Sequence, residues 1–163
     1  MIDLIFCLLN LVICCVYCLA LPNTPESLSA TAYIYRKPWY FTIYCLLTAV
    51  LLLVPWMNYS PPAYQFLVFF TCVGICFAGT TPFFKKPFEA PIHYGAGIIS
   101  FLCWMIWMFL VGNYSGLFWL GIGYYILIRI DGKNWVFYAE TLALLHTIFF
   151  LLIHIIHIIH NAI

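Results

Sequence analysis

Six long apolar stretches occupy most of this chain of 163 residues and limit what it can fold into. They cover approximately residues 2–21, 39–57, 63–80, 94–112, 115–130 and 136–160. A helix needs about 20 mostly apolar residues to cross the hydrocarbon core of a bilayer, so the short fifth stretch would have to thin the bilayer locally. The pattern predicts an all-α membrane protein: residues 1–163 form one polytopic domain, a bundle of six transmembrane helices.

The low charge content indicates the same class. Charged residues make up 7% of the chain and mean hydropathy is +1.06, whereas a soluble domain carries about 25% charged residues. The formal net charge of +1 supplies no basic face for nucleic acid, and the common nucleotide-binding and zinc-protease motifs are absent. We therefore expect membrane lipids as partners, no nucleic acid and no cofactor. A homo-oligomer or a membrane-protein partner stays open.

The basic residues lie in alternate connections. Each is in or beside the first, third or fifth connection between the apolar stretches; they are Arg36, Lys37, Lys85, Lys86, Arg129 and Lys133. Cytoplasmic loops of membrane proteins carry an excess of Lys and Arg. The pattern predicts a multi-pass protein of the plasma (inner) membrane with both termini outside. The N-terminal MID has no basic residue, so a cleaved signal peptide is not expected.

Cysteines and deep tryptophans are expected to serve packing. All the cysteines lie within apolar stretches; they are Cys7, Cys14, Cys15, Cys18, Cys45, Cys72, Cys76 and Cys103. A disulfide framework would place them in loops, so we expect packing residues, with CCVYC a weaker candidate for metal binding or lipid attachment. Trp104 and Trp107 lie deep in the fourth stretch, where the bundle interior is the simplest place for them.

The first connection, LPNTPESLSATAYIYRKPW, is predicted to contain a short helix. Thr24 is a suitable N-cap, Pro25 suits the first turn, and Glu26 interacts favourably with the helix dipole. The segment SLSATAYIY would continue this helix as far as Pro38. A short helix with tyrosines on it is suited to lie along the membrane surface.

The segment KKPFEAPIHYGAGIIS precedes and opens the fourth stretch. Proline disrupts a helix interior, so Pro87 and Pro91 predict that the helix starts only after an opening turn at residues 92–94. Small residues, which let helices approach closely in lipid, then predict a packing face. They are Gly95, Ala96, Gly97 and Ser100. Glu89 and His93 are expected to face each other at the cytoplasmic rim.

Glu140 lies about one turn into the sixth stretch. Ionisable groups inside a bilayer are costly and usually pair with a partner or serve a function. The structural interpretation is an ion pair with Arg129 across the loop IDGKNW, or a side chain that reaches the interface. The functional interpretation is a carboxylate that binds a substrate or handles a proton.

Histidines are concentrated in the last stretch. His146 lies deeper than the others and is a candidate for ligand binding. The repeat HIIHIIH makes His154, His157 and His160 weak metal candidates, but a closed zinc site needs about four ligands. A helix of 25 residues is about 37 Å long and exceeds a core of about 30 Å, so these three residues are expected among the headgroups, and no metal is predicted.

Three segments carry a resemblance to known proteins. PESLSATAYIY, PIHYGAGIISF and FYAETLALL resemble segments of small six-span bacterial integral membrane proteins without an established activity, and more distantly of DRAM/Sfk-type membrane proteins. In those proteins a PxSxSAxY loop, an HYxxA loop and a late glutamate recur. The resemblance implies a shared polar set of Ser27, Ser29, Tyr33, His93, Tyr94 and Glu140.

The predicted orientation places the first connection, His93 and Glu140 on one side of the membrane, where they would converge. We predict an integral membrane protein that binds a lipid or small amphiphile in a polar pocket near the cytoplasmic face. The predicted ligand-binding residues are Ser27, Ser29, Tyr33, His93, Tyr94, Glu140 and His146. One alternative is an intramembrane lipid-modifying enzyme with His93 and Glu140 as the acid–base pair. Another is a channel or pore-forming oligomer, although mid-span polarity is limited to Asn10, Gln65 and scattered Ser or Thr.

Overall fold

The computed structural model describes residues 1–34, 37, 39–84, 86–116, 121, 125, 129 and 134–161. The helices among these residues are α1 Ile2–Leu19, α2 Thr31–Ile34, α3 Trp39–Tyr59, α4 Gln65–Thr80, α5 Lys86–Leu110 and α6 Trp135–Asn161. Short 3-10 turns at Pro62–Tyr64 and Thr81–Phe83 flank α4, and the residues described include no strand. In this described part of the chain, five helices (α1, α3, α4 with its turns, α5 and α6) are long and apolar enough to cross a membrane. The chain is a helical membrane protein.

Four predicted spans agree closely with these helices. Residues 2–21, 39–57, 63–80 and 136–160 correspond to α1, α3, α4 and α6. The agreement has a physical basis, because a backbone surrounded by lipid must satisfy its hydrogen bonds internally. The fifth predicted span, residues 115–130, lies mostly outside the described residues.

Contacts between helix termini define one end of the bundle, which we call the terminal end. The side-chain amide of Asn58 donates hydrogen bonds of 3.1 and 3.2 Å to the two carboxylate oxygens of Asp3. The ring of Tyr59 lies 4.7 Å from the ring of His154, centroid to centroid. The start of α1 and the ends of α3 and α6 therefore lie together.

The opposite end, which we call the basic end, brings the first connection to the start of α6. The backbone N–H of Phe137 donates a hydrogen bond of 3.2 Å to the carbonyl oxygen of Glu26. The hydroxyl of Thr42, near the start of α3, donates to the carbonyl of Gly79, near the end of α4, at 2.6 Å. Lys37 and Lys86, just before α3 and at the start of α5, are exposed.

Helix α5 is continuous from Lys86 to Leu110, so the opening turn predicted at residues 92–94 is wrong. Pro87 lies in the first turn, where a backbone N–H would have no acceptor within the helix. Its lack of an N–H therefore costs no helical hydrogen bond. Pro91 removes the bond to the carbonyl of Pro87, which belongs to that same first turn and can adjust. The prolines are therefore tolerated, and Glu89 and His93 lie one helical turn apart on one face.

The contact between α4 and α5 confirms half of the predicted packing face. A Cβ on Gly74 of α4 would lie 2.7 Å from Cβ of Ser100 and 2.8 Å from the carbonyl oxygen of Ala96. A Cβ on Gly95 or Gly97 would meet no atom of the described residues within 4 Å, so including these two glycines in the packing face was wrong. Residues 96 and 100 share a helix face, and residues 95 and 97 point about 100° to either side of it.

Tryptophans of α5 pack in the bundle interior, as predicted. The indole N–H of Trp104 donates to Oγ1 of Thr147 on α6 at 2.8 Å. The indole N–H of Trp107 donates to Oγ of Ser60 at 2.8 Å, and its ring meets Trp56 edge-on with centroids 5.2 Å apart. All three tryptophans are buried.

Four of the eight cysteines belong to the core, in agreement with the packing role predicted for them. All eight are described and all are free thiols. Cys7, Cys14, Cys45 and Cys72 are buried in the core. A Cβ on Gly79 would lie 2.3 Å from Cβ of Cys45, so the close approach of α3 and α4 depends on that glycine.

Candidate functional site

The first connection folds into turns before a single helical turn. The helix predicted to start at Thr24 starts at Thr31 instead. The Oγ of Ser27 accepts a hydrogen bond of 3.1 Å from the N–H of Ala30, within the turn that precedes this helix. The Oγ atoms of Ser27 and Ser29 are 2.9 Å apart and hydrogen bonded.

This connection packs into the basic end of the bundle. Leu28, Thr31 and Ala32 are buried. The hydroxyl groups of Tyr17 on α1 and Thr31 are hydrogen bonded. Burial of Leu28 and Ala32 favours these turns over a longer exposed helix, because local helix propensity is weak against tertiary packing.

Glu140 binds the backbone of the first connection. Its Oε2 accepts a hydrogen bond of 2.8 Å from the N–H of Leu28. Among the residues the structure describes, no ion pair joins Glu140 to Arg129, whose guanidinium carbon lies 5.7 Å from the ring centroid of Tyr125. The predicted ion pair is therefore replaced by a bond to a backbone amide.

His93 lies where α4 and α5 meet. Its Nδ1 is 3.1 Å from Oγ1 of Thr81 and 3.4 Å from the carbonyl oxygen of Ala78. The Thr81 hydroxyl donates to that same carbonyl at 2.7 Å, so its oxygen is left to accept from His93. This assigns the proton of a neutral imidazole to Nδ1 and the lone pair to Nε2.

An outer cavity of about 320 Å³ opens at the basic end. Its polar lining residues come from the first connection, the 3-10 turn after α4 and the start of α5; they are Ser27, Ser29, Thr81, Lys86, Glu89, His93 and Tyr94. Glu89 and His93 thus line one space, as their spacing on α5 requires. Lys86 and Glu89 carry opposite formal charges, so these two charges cancel in the wall of this cavity.

An inner cavity of about 540 Å³ continues into the bundle. It shares Ser29, Phe41 and His93 with the outer cavity, and Glu140 also lines it. Along α3 its wall runs from Phe41 to Trp56, which is about 22 Å at 1.5 Å per residue. Glu140 keeps exposed surface because its side chain faces this space.

The structure brings together most of the predicted ligand-binding residues. Ser27, Ser29, His93 and Tyr94 line the outer cavity, and Ser29, His93 and Glu140 line the inner one. Tyr33 belongs to α2, and its side chain lies outside the described part of the structure.

The other histidines lie elsewhere. His146 lines neither cavity; it faces Gly116, where an added Cβ would lie 2.5 Å from the imidazole ring. Nδ1 of His154 is 2.8 Å from the carbonyl of Phe150, and Nε2 of His157 is 3.0 Å from Nδ2 of Asn161. His160 is exposed near the end of α6. The described residues contain no group of three or more His, Cys, Asp or Glu that could hold a metal ion.

Sequence reasoning missed the α3 wall of the inner cavity. This wall consists of Phe41, Tyr44, Cys45, Thr48, Leu52 and Trp56. Their spacing of three or four residues marks one helix face, which is the signal that was present. The signal was not specific, because a face packed against another helix has the same spacing.

The fold and cavities define a helical membrane protein with an outer cavity at its basic end and an inner cavity that extends along α3, and the two share three lining residues. No family model matches the chain, and no curated protein or solved structure matches it either.

Proposed function

We propose that this protein binds a lipid or another small amphiphile in the two joined cavities. The observation that carries the proposal is that an apolar inner cavity and a more polar outer one share Ser29, Phe41 and His93 in their walls. An amphiphile matches that division, with its apolar body in the inner cavity and its polar group near the outer one. Volumes of about 320 and 540 Å³ fall within the range of about 300–1,000 Å³ typical of ligand sites.

We also propose that the chain crosses the membrane six times. Helix α5 ends near Ser60 at the terminal end, through its bond from Trp107, and α6 begins near Glu26 at the basic end, through its bond from Phe137. The chain between α5 and α6 therefore starts at one end of the bundle and finishes at the other. This supports a further crossing at the predicted fifth span, residues 115–130.

We propose that the basic end faces the cytoplasm of a bacterial cell and that both termini lie outside its plasma membrane. Lys37 and Lys86 at that end support the orientation, because cytoplasmic loops are rich in Lys and Arg. The resemblance to small six-span bacterial membrane proteins, and more distantly to the DRAM/Sfk type, is part of this proposal. The first connection is an interfacial segment in it, packed at the basic end.

Two observations favour binding over the alternatives. Among the described residues, Nδ1 of His93 is bonded to Thr81 and Oε2 of Glu140 to Leu28, and no hydrogen bond joins the suggested acid–base pair. A channel would need a polar path through the bundle, but an aromatic cluster occupies the terminal end. It consists of Trp56, Tyr59, Trp107, Phe150 and His154.

Filling the inner cavity tests the proposal. Gly97 lines this cavity and a Cβ added there meets no described atom within 4 Å, so Gly97→Phe adds bulk at the cavity wall. Gly95 has equally open space and does not line the inner cavity, which makes Gly95→Phe a matched control. Native mass spectrometry after purification in mild detergent should find bound amphiphile on the wild type and Gly95→Phe, and little on Gly97→Phe. Equal loading of all three, or none on the wild type, would contradict the proposal.

A further inference from the structure

The charge of the inner cavity comes from one residue. Among the described residues that line it, Glu140 is the only Asp, Glu, Lys or Arg. The outer cavity differs, because Lys86 and Glu89 carry opposite charges there. A ligand that enters the inner cavity therefore meets a single acidic side chain among the described lining residues.

Half of the Glu140 carboxylate is left for a ligand. Oε2 accepts the N–H of Leu28, and no described residue donates a hydrogen bond or forms an ion pair to Oε1. A carboxylate that faces an apolar space is costly unless a positive charge or a donor approaches it. The side chain keeps exposed surface within the cavity, so a ligand can reach it.

Aromatic rings surround the same space. They belong to Phe41, Tyr44, Trp56, Phe101, Trp104 and Trp135. The faces of such rings attract cations, most strongly where water is excluded, and the rings also provide apolar surface for the rest of a ligand. A carboxylate combined with aromatic walls is suited to a cation with a large apolar body, and unsuited to an anion.

We propose that the ligand of the inner cavity is a hydrophobic cation, such as an alkyl or aryl amine, quaternary ammonium or phosphonium compound, held by Glu140. The positive centre pairs with the Glu140 carboxylate, and the apolar body lies among the rings. This inference rests on the proposed amphiphile binding and specifies the charge of the ligand.

Two probes of the same shape and opposite charge test it: tetraphenylphosphonium and tetraphenylborate. Equilibrium binding of each is measured on the full chain in nanodiscs of zwitterionic lipid, with empty nanodiscs subtracted. We expect the phosphonium to bind the wild type at least about tenfold more tightly than the borate, and Glu140→Gln to weaken the phosphonium by about tenfold or more. Glutamine keeps an acceptor for the N–H of Leu28, so the first connection stays attached.

Further variants separate charge from folding. Glu140→Asp retains the charge and should keep phosphonium binding within about threefold of the wild type. Glu26→Gln removes an exposed carboxylate at the same end and should leave binding unchanged. Equal binding of both probes, or unchanged phosphonium binding in Glu140→Gln, would contradict the preference for a cation and leave the proposal of amphiphile binding intact. Absence of phosphonium binding to the wild type would also overturn it, and the Gly97→Phe comparison then decides separately whether the cavity holds an amphiphile.

Discussion

The backbone N–H of Leu28 donates a hydrogen bond of 2.8 Å to Oε2 of Glu140, a residue 112 positions further along the chain. Both residues line the inner cavity, and the neighbouring Ser29 lines both cavities. The bond therefore fastens the first connection to α6 where the two cavities meet. One carboxylate holds the wall of the site in place and supplies the charge of the inner space.

Removing the carboxylate should destabilise the protein more than neutralising it. Glu140→Ala leaves the N–H of Leu28 without its acceptor and should lower the free energy of unfolding by about 1–3 kcal/mol. Glu140→Gln keeps an acceptor oxygen for the N–H of Leu28, so it should lower the free energy of unfolding by less than Glu140→Ala does. Unfolding by sodium dodecyl sulfate in mixed micelles measures both, with Glu26→Ala as the control at the same end. Equal stability of Glu140→Ala and the wild type would show that the bond contributes little.

The buried bond between Trp104 and Thr147 should appear in a double-mutant cycle. Trp104→Phe and Thr147→Val should show a coupling energy of about 0.6 kcal/mol, a typical value for side-chain bonds between membrane helices. The same unfolding assay measures it. Trp107→Phe combined with Thr147→Val should be additive, because the indole of Trp107 bonds to Ser60 instead. A zero coupling for the first pair would contradict the geometry.

Two glycines on neighbouring helices should respond to alanine in opposite directions. Gly74→Ala places a Cβ 2.7 Å from that of Ser100, and overpacking of this kind costs about 1–3 kcal/mol. Gly95→Ala meets open space and should stabilise α5 by up to about 1 kcal/mol through helix propensity. Thermal unfolding of the two variants side by side provides the measurement. A shift of the same sign in both would contradict the α4–α5 contact.

Labelling with an impermeant maleimide should divide the chain into two sides. Lys37→Cys and Lys86→Cys should react from one side of the membrane, and Pro61→Cys and Asn161→Cys from the other. The native cysteines lie within α1, α3, α4 and α5, where lipid excludes the reagent, and the unsubstituted chain measures the background. Finding residues 37 and 86 on different sides would exclude the proposed topology.

Much of the fold was predictable because lipid requires that the backbone satisfy its own hydrogen bonds. Apolar stretches in a bilayer form helices, so α1, α3, α4 and α6 agree with the predicted spans within a few residues. The start of α5 was missed because the expectation ignored that Pro87 lies in the first turn and that Pro91 removes only a bond to the carbonyl of Pro87. Gly95 and Gly97 were misassigned because the prediction used only the small size of these residues. It did not consider which way each residue points around the helix.

The sequence allowed several side chains of the candidate site to be grouped, but it did not indicate which hydrogen bonds they make. Ser27, Ser29 and His93 could be grouped from the orientation of the connections, and they line one cavity. The partner of Glu140 is a backbone amide, which carries no signature in a sequence. The direction of His146 depends on how α6 is rotated against its neighbours, so depth along the helix was not sufficient to place it at the site.

The bond from Phe137 to the carbonyl of Glu26, together with that from Leu28 to Glu140, bears on how the protein is made. Residues 26–28 leave the ribosome long before their partners do. The wall they form cannot be completed until the last helix has been synthesised and inserted. A chain that stalls before α6 would lack both the acidic group and the closure of that wall, so completion of the proposed site is coupled to the final insertion event.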